Sequence, residues 1–496
     1  MNNLNFLVDV LKESPVFKTL EKNVKPGRTV CASGLSTINK SNIIYALCRL
    51  KGVTAFCLAS DEKEAQTLCN DLSCMGLRAY VYPVRDFNFL DFQSRSHEYE
   101  HARLKVLLKL INHECDVAIA CVDAAAQLTV PRNVLEQSVI EFEEGRELSL
   151  EKATKALTLL GYERFDAVEG SGQFSLRGGI LDFFMPDSDY PVRCEFWGDE
   201  ITDLSYFDIE TQRRFKKADK ITLSPSTEIV IEDRAALADK IEHKAKLLRS
   251  KNSAKAKEKL FSEAELIRSG AMIANADKFI NQIYDKPESL FDYLDRNTLV
   301  FASEFTAIQE RGKSMDFISN ETLMQGFEDG TLCRGFDRFA LTFNECTEFL
   351  QSHGTIVLEN FVHGSMPIKL SEIISFSTKQ LSAWGGSYKQ LKEDVDGLFT
   401  PESKGVIFAG TERAAKNLCD TFNADGINAV YSEGADKISK GELLVMQGAL
   451  SAGFEYPSQK VFCNNLQSGF VPSRKSPKRR EKDGTGNLQP FRACPR

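Results

Sequence analysis

RTVCASGLSTINKSNIIYALCRLKG, residues 28 to 52, holds a short apolar run, a turn at Gly34 and an amphipathic segment stopped by Gly52. RTVCAS reads as a strand. SNIIYALCRLKG reads as a helix, because its apolar residues recur at helical spacing. The pattern repeats outward from there. VTAFCLAS is a second strand, and DEKEAQTLCNDLSCMG a helix with Asp61 as its cap and Gly76 as its stop. RAYVYP, the helical ARLKVLLKLINH and the strand CDVAIACV follow. Strand–helix alternation of this kind predicts a parallel sheet covered by helices.

The turn itself, Gly34-Leu35-Ser36-Thr37-Ile38-Asn39-Lys40-Ser41, has the spacing of the phosphate-binding loop G-x-x-x-x-G-K-[ST] in the strand–loop–helix setting that motif requires. In a working loop the second glycine lets backbone N–H groups approach the phosphates. Asn39 stands there instead, and β-branched Thr37 and Ile38 resist positive φ. Lys40 and Ser41 keep the cationic and magnesium-binding side chains. The matching magnesium-holding strand end is Leu299-Val300-Phe301-Ala302-Ser303-Glu304, with Ser303 where an aspartate belongs. A serine lacks the anionic oxygen that a hard cation wants. Gly34, Asn39, Lys40 and Ser41 are therefore expected to form a degenerate nucleotide loop, and Ser303 and Glu304 a degenerate Walker B strand end. No catalytic residue, cofactor or metal ligand is assigned.

Around residue 146 the texture changes. SLEKATKALTLLGY reads as one helix. The period-two strands FSLRGGILDFF, YPVRCEFWG and EITDLSYFD follow, separated by turns at Pro186–Ser188 and Gly198–Asp199. They predict a small antiparallel meander with one buried face. Alternation turns Val192, Cys194 and Phe196 inward, and Arg193, Glu195 and Trp197 outward, with Arg193 and Trp197 about 13 Å apart. With Phe174 and Leu176 inward, Arg177 joins that outer face. Arginine and tryptophan dominate protein–protein hot spots. The plain alternative is a tryptophan covered by its own protein and arginines in local ion pairs, such as Arg193 with Glu195 or Asp182. Gly178 and Gly179 suit a bulge or turn, Asp199 and Glu200 suit a turn, and Gln212 and Arg213 lie near the same sheet.

Between about 233 and 380 helices return, with the strand NTLVFAS. From about 395 another small α/β unit appears in KGVIFAG, TERAAKNLCDTFNADG, INAVYS and ELLVMQG. At 496 residues, 42% apolar and 27% charged, the chain is an ordinary globular protein of three or four domains. No apolar run reaches membrane-spanning length, and the start lacks the pattern of a signal peptide. The 13 cysteines are scattered without C-x-x-C pairs, which suits reduced thiols in the cytoplasm. A net charge of −8 argues against a chain that coats nucleic acid all over. The end, SRKSPKRREKDGTGNLQPFRACPR from Ser473, is basic and poor in aliphatic residues, so a disordered tail with at most weak DNA contact is expected.

Taken together, these residues resemble the UvrB-homology region of the bacterial transcription-repair coupling factors. The degenerate loop carries the resemblance, together with YPVRDFNFLDF…HEYEHARLKVLLKLINHECDVAIACVDA. The most specific block is FSLRGGILDFFMPDSDYPVRCEFWGDEITDLSYFDIETQR, with its R-G-G-x-x-D-x-F, P-x-R-x-E-F and G-D-E-I. Similarity runs from about residue 5 to about residue 460, beyond which VFCNNLQSGF does not continue it. The resemblance implies an α/β multidomain protein. Its parts would be a degenerate P-loop, helicase-like parallel-sheet domain (1–145 and 233–385), an inserted antiparallel α+β domain that docks UvrA (146–232), a small α/β domain (386–465) and a basic tail (466–496). It implies UvrA binding by Arg177, Arg193 and Trp197. RNA polymerase, DNA, ATP and magnesium would be engaged by an interaction domain and a translocase motor beyond this chain, which is expected to be truncated. The alternative within the homology is UvrB itself, a DNA-dependent ATPase of excision repair. UvrB carries an intact loop and a long aromatic hairpin, for which the connection from Pro83 to Ala102 is too short.

Overall fold

The computed structural model describes residues 3–85, 97–249, 253–270, 276–361, 366–382, 384 and 388–466. Of the basic disordered tail expected over 466–496, residues 467–496 lie outside the described residues, as does most of the connection between Pro83 and Ala102. A seven-stranded parallel sheet runs in the order Glu372–Ser375, Val30–Ser33, Thr355–Glu359, Leu299–Ser303, Ala55–Ala59, Val117–Cys121, Ala79–Tyr82. VCAS, AFCLA, VAIAC and TIVLE are buried along their whole length, as strands covered on both faces must be. Gly52 ends the Thr37–Lys51 helix in the left-handed conformation at φ +63, and Asp61 caps the Glu62–Cys74 helix by accepting from the Glu64 amide. The sheet also contains two strands, Thr355–Glu359 and Glu372–Ser375, inside a stretch that the sequence reading gave to helices. A five-residue apolar run such as TIVLE cannot be told from buried helix by periodicity alone.

Between Val117–Cys121 and Leu299–Ser303 the chain leaves this sheet to build a separate unit. Its six-stranded sheet runs Arg214–Lys217, Glu200–Phe207, Val192–Trp197, Ile180–Phe183, Gln173–Arg177, Glu163–Arg164, antiparallel except for the last pair. A two-stranded ribbon, Ile140–Glu143 with Lys220–Leu223, and the helix Leu150–Leu159 cover one face. They close a core of Phe142, Leu157, Phe174, Phe183, Val192, Cys194 and Ile201. FSLRGGILDFF is two strands and not one. Gly178, at φ +62, turns the chain back, so that Arg177 pairs with Ile180. Gly179 gives its carbonyl to the Phe196 amide at 2.8 Å, an approach that a Cβ would block.

The exit from this unit is fixed by buried charge. Arg103, on the helix Glu98–Ile111, donates to both carboxylate oxygens of Glu228 at 2.6 and 3.3 Å, and both side chains are fully buried. Thr129 adds a bond to Glu228 at 2.6 Å, and the Glu228 amide donates to Glu100 at 2.8 Å. Arg103 lies 4.2 Å from the centre of the Tyr82 ring. Arg85 lies 3.6 Å from Glu100 and 3.2 Å from Asp277, and so ties in the chain near residue 277.

Lys379–Leu381, Gly453–Tyr456, Val461–Asn465, Lys404–Phe408, Glu442–Met446 and Ala429–Tyr431 form the last sheet, in that order. Val461–Asn465, where the resemblance was expected to lapse, is a buried central strand, parallel to Lys404–Phe408 and antiparallel to Gly453–Tyr456. Its alternating Val461 and Cys463 belong to a core that also holds Leu4, Leu7, Ile43 and Leu47, so the last unit is packed onto the first. Among the described residues no helix is long and apolar enough to cross a membrane.

Candidate functional site

On the six-stranded sheet Val192, Cys194 and Phe196 point into the core, while Arg193, Glu195 and Trp197 alternate with them outward. The two-residue turn Gly198-Asp199 follows at once, pairing Trp197 with Glu200 and holding the indole at the strand end. Trp197 is 82% exposed, the most exposed large apolar side chain among the described residues. Uncovered apolar area on a rigid strand is what an interface anchor needs.

The arginines stand differently. Register places Asp182 opposite Arg193, and Asp182 is 1% exposed. Arg193 grips it at 2.7 and 2.8 Å, donates to the Gln212 carbonyl and side chain, and lies 4.4 Å from the centre of the Phe207 ring. Arg177 donates to the same carboxylate at 2.7 Å but keeps about half its side chain in solvent. Of the local ion pairs considered from the sequence, Arg193 makes the one with Asp182. Glu195 is taken by Arg214, which also holds Asp203 at 2.8 Å. Asp182, which joins the two arginines, was weighed from the sequence only as a local ion-pair partner. Its place in R-G-G-x-x-D-x-F, five residues after Arg177, was the available signal. Also missed was the exposed aromatic pair Tyr190 and Phe215, edge to face at 4.7 Å on the same unit. No sequence pattern singles it out.

The second site lies at the ends of the parallel strands. The helix begins at Thr37, three residues before Lys40, so that Thr37, Ile38 and Asn39 are already helical. The amides of Gly34, Leu35 and Lys40 donate to the carbonyls of Asn360, Glu359 and Ser36. Groups that the motif would turn toward a phosphate are thus committed inside the protein. Gly34, at φ +79, is held by packing, since a Cβ there would fall 2.2 Å from the Phe376 carbonyl oxygen. Asn39 bonds Ser36 at 2.8 Å, and Ser41 bonds Asp71 at 3.2 Å. Asp71 also receives the Ser451 amide and hydroxyl from the last unit, at 2.6 and 2.7 Å.

Lys40 is 2% exposed and donates to Glu304 at 2.6 Å, Ser303 at 2.9 Å and Glu64 at 3.2 Å. The structure therefore brings Lys40 of the loop together with Ser303 and Glu304 of the strand end. Glu64, which the sequence reading passed over, completes the set from the third position of the helix that Asp61 caps. Glu304 sits at φ +56, a left-handed conformation that costs a non-glycine residue of order 1–3 kcal/mol. Lys40 and the Asn360 amide hold it there. A cavity of about 380 Å³ borders the loop, with Thr37, Ile38, Asp61, Lys63 and Glu64 in its lining.

Glu359 is fully buried beside Glu304 and accepts from the Phe305 amide. Burial pushes its carboxyl up to about 7, the Phe305 N–H opposes the rise and the Glu304 carboxylate adds to it. Burial acts the same way on Glu304, but the Lys40 charge outweighs it and holds that carboxyl below its usual range. The Glu359 proton is kept in the folded state and released on unfolding, so its stabilisation is complete below about 4.5 and is lost as pH rises through about 7. Glu359→Gln should flatten this loss and gain roughly 1–3 kcal/mol on wild type between pH 5 and pH 8. Urea unfolding at both pH values checks it; a difference that does not change with pH refutes the assignment.

Residues 140–229, the inserted unit with its ribbon, match the family described as "UvrB interaction domain". Over 486 residues, 95% of the chain, the protein is 26% identical to the transcription-repair-coupling factor of Bacillus subtilis (strain 168), covering 41% of that protein. Its namesake in Staphylococcus aureus (strain MRSA252) is 21% identical over 97% of the chain, again with 41% of its own length covered. That of Staphylococcus epidermidis (strain RP62A) is 25% identical over 81%, with 35% covered. The resemblance to transcription-repair coupling factors thus holds along nearly the whole chain, which spans less than half the length of the curated relatives it matches.

Proposed function

We propose that this chain is the UvrA-recruiting part of a transcription-repair coupling factor, serving the link between RNA polymerase stalled at DNA lesions and nucleotide excision repair. Polymerase displacement and ATP-driven translocation are properties of the wider family, and this chain is proposed to have no ATPase of its own. One observation carries the docking reading: the uncovered Trp197 indole on the outer face of the unit that matches the UvrB interaction domain. Arg177 lies on the same sheet with half its guanidinium-bearing chain in solvent, positioned by Asp182 to meet a carboxylate. Arg193 acts at one remove, by holding Asp182 and Gln212 in place.

The test is binding of purified UvrA to the immobilised chain. Trp197→Ala and Arg177→Ala should each weaken binding by about 1–3 kcal/mol, roughly 5- to 150-fold, while leaving the unfolding transition in place. Undiminished UvrA binding by both variants would remove this face from the account.

A further inference from the structure

We propose that Arg214 is a specificity-determining residue of the docking face, which it fits to a partner patch that carries carboxylates around an apolar socket. The inference rests on the docking reading above and names the chemistry of the surface that would meet it. Strand register lays one row of side chains across the outer face. Arg177 stands opposite Ile180, Ile180 opposite Glu195, and Glu195 opposite Asp203. Directly opposed residues share a face, and Trp197 is the next outward residue after Glu195. Two strand spacings of about 4.8 Å separate Arg177 from Glu195, roughly the Debye length at 0.1 M salt. A partner that covers Arg177 and Trp197 therefore comes within electrostatic reach of Glu195.

Arg177 spends one bond on Asp182, which Arg193 already holds through two, and half of the Arg177 side chain stays in solvent. A guanidinium in that position suits a carboxylate of the partner. Glu195 and Asp203 would repel such a carboxylate, and as like charges directly opposed across two strands they also repel each other. Arg214 removes both repulsions by holding the two acids at once. Its presence on this face depends on one extra residue. Ser205 pairs with Lys217 and Tyr206 with Lys216, but Phe207 pairs with Arg214, so Phe215 is a bulge. In unbroken register Arg214 would follow Lys216 onto the opposite face, because a slip of one residue turns a side chain over. Lys217, on the outer face, is held by Glu144, and Glu200, opposite Trp197 at the turn, lies outside the Arg214 pairing. Arg214 is thus the cation that neutralises the two acids of this row.

Binding of purified UvrA to the full chain, measured at low and at high salt, tests it. Arg214→Ala should weaken binding about tenfold at low salt and less at high salt, where exposed charges are screened. Arg214→Lys keeps the charge and should bind nearly as wild type does. Arg214→Ala/Glu195→Gln/Asp203→Asn should regain most of the lost affinity without the arginine, which a direct arginine contact with the partner would not allow. Thermal unfolding of all three should stay close to wild type, because exposed ion pairs add little to stability. If Trp197→Ala and Arg177→Ala weaken binding but Arg214→Ala does not, the docking face stands and this inference falls. If none of the three weakens it, the docking reading has failed first. Tighter binding by Arg214→Ala would make the partner patch basic and overturn the proposal, as would a loss that the triple variant does not recover.

Discussion

Replacing Lys40 by alanine should lower the stability of the parallel-sheet unit by about 3–5 kcal/mol, the cost of stripping a buried charge of its partner. In a working phosphate loop the lysine faces a ligand. Here its ammonium is 2% exposed and neutralises Glu304 and Glu64, with Glu359 beside them. Its removal leaves these carboxyls facing one another, and Glu304 loses one of the two groups that hold its left-handed backbone. Two further outcomes separate this account from a nucleotide site. The double variant Lys40→Ala/Glu304→Gln should recover part of the loss, because the repulsion falls when one acid is neutral. Millimolar ATP with magnesium should leave the wild-type transition where it is. A site with micromolar affinity would instead stabilise by about 4 kcal/mol at a thousandfold excess over its Kd. An ATP-dependent shift that Lys40→Ala abolishes would restore the loop to function.

What the sequence disclosed here and what it hid divide along physical lines. The eight-residue spacing from Gly34 to Ser41, with Asn39 in the glycine position and Ser303 in the aspartate position, could be read directly because motif chemistry is local. The use to which Lys40 is put could not, since its partners lie 24 and 264 residues away. Likewise the alternation of Val192 to Trp197 gave the outer face correctly. The grip of Arg193 and Arg177 on one aspartate depends on a hairpin at Gly178 and Gly179, which strand periodicity passes straight through. Thr355–Glu359 and Val461–Asn465 were lost for a further reason. Strands of five residues buried on both faces carry no alternation, and their pairing is decided by neighbours distant in the chain.

The junction between the inserted unit and the parallel sheet should be as sensitive as Lys40, with Glu228→Ala costing about 3–5 kcal/mol. Glu228 lies on the segment by which the chain returns from the inserted unit. It is fully buried and receives Arg103 through two bonds and Thr129 through a third. Alanine there leaves the Arg103 guanidinium buried beside Tyr82, with Gln127 and the Pro83 carbonyl as its remaining partners, and removes one of the acids near Arg85. Glu228→Gln keeps an acceptor but not the charge and should cost less. The location of the effect matters as much as its size. Hydrogen exchange should quicken in the return segment around residues 224 to 231 and in the Glu98–Ile111 helix. The core around Phe142, Phe183 and Cys194 should keep its protection, because it closes as an apolar cluster of its own. If exchange instead quickened evenly through both units, the buried pair would be one contact among many and not the fastener between them. If Glu228→Ala were as stable as wild type, the charges at this junction would be cancelling their own desolvation and nothing more.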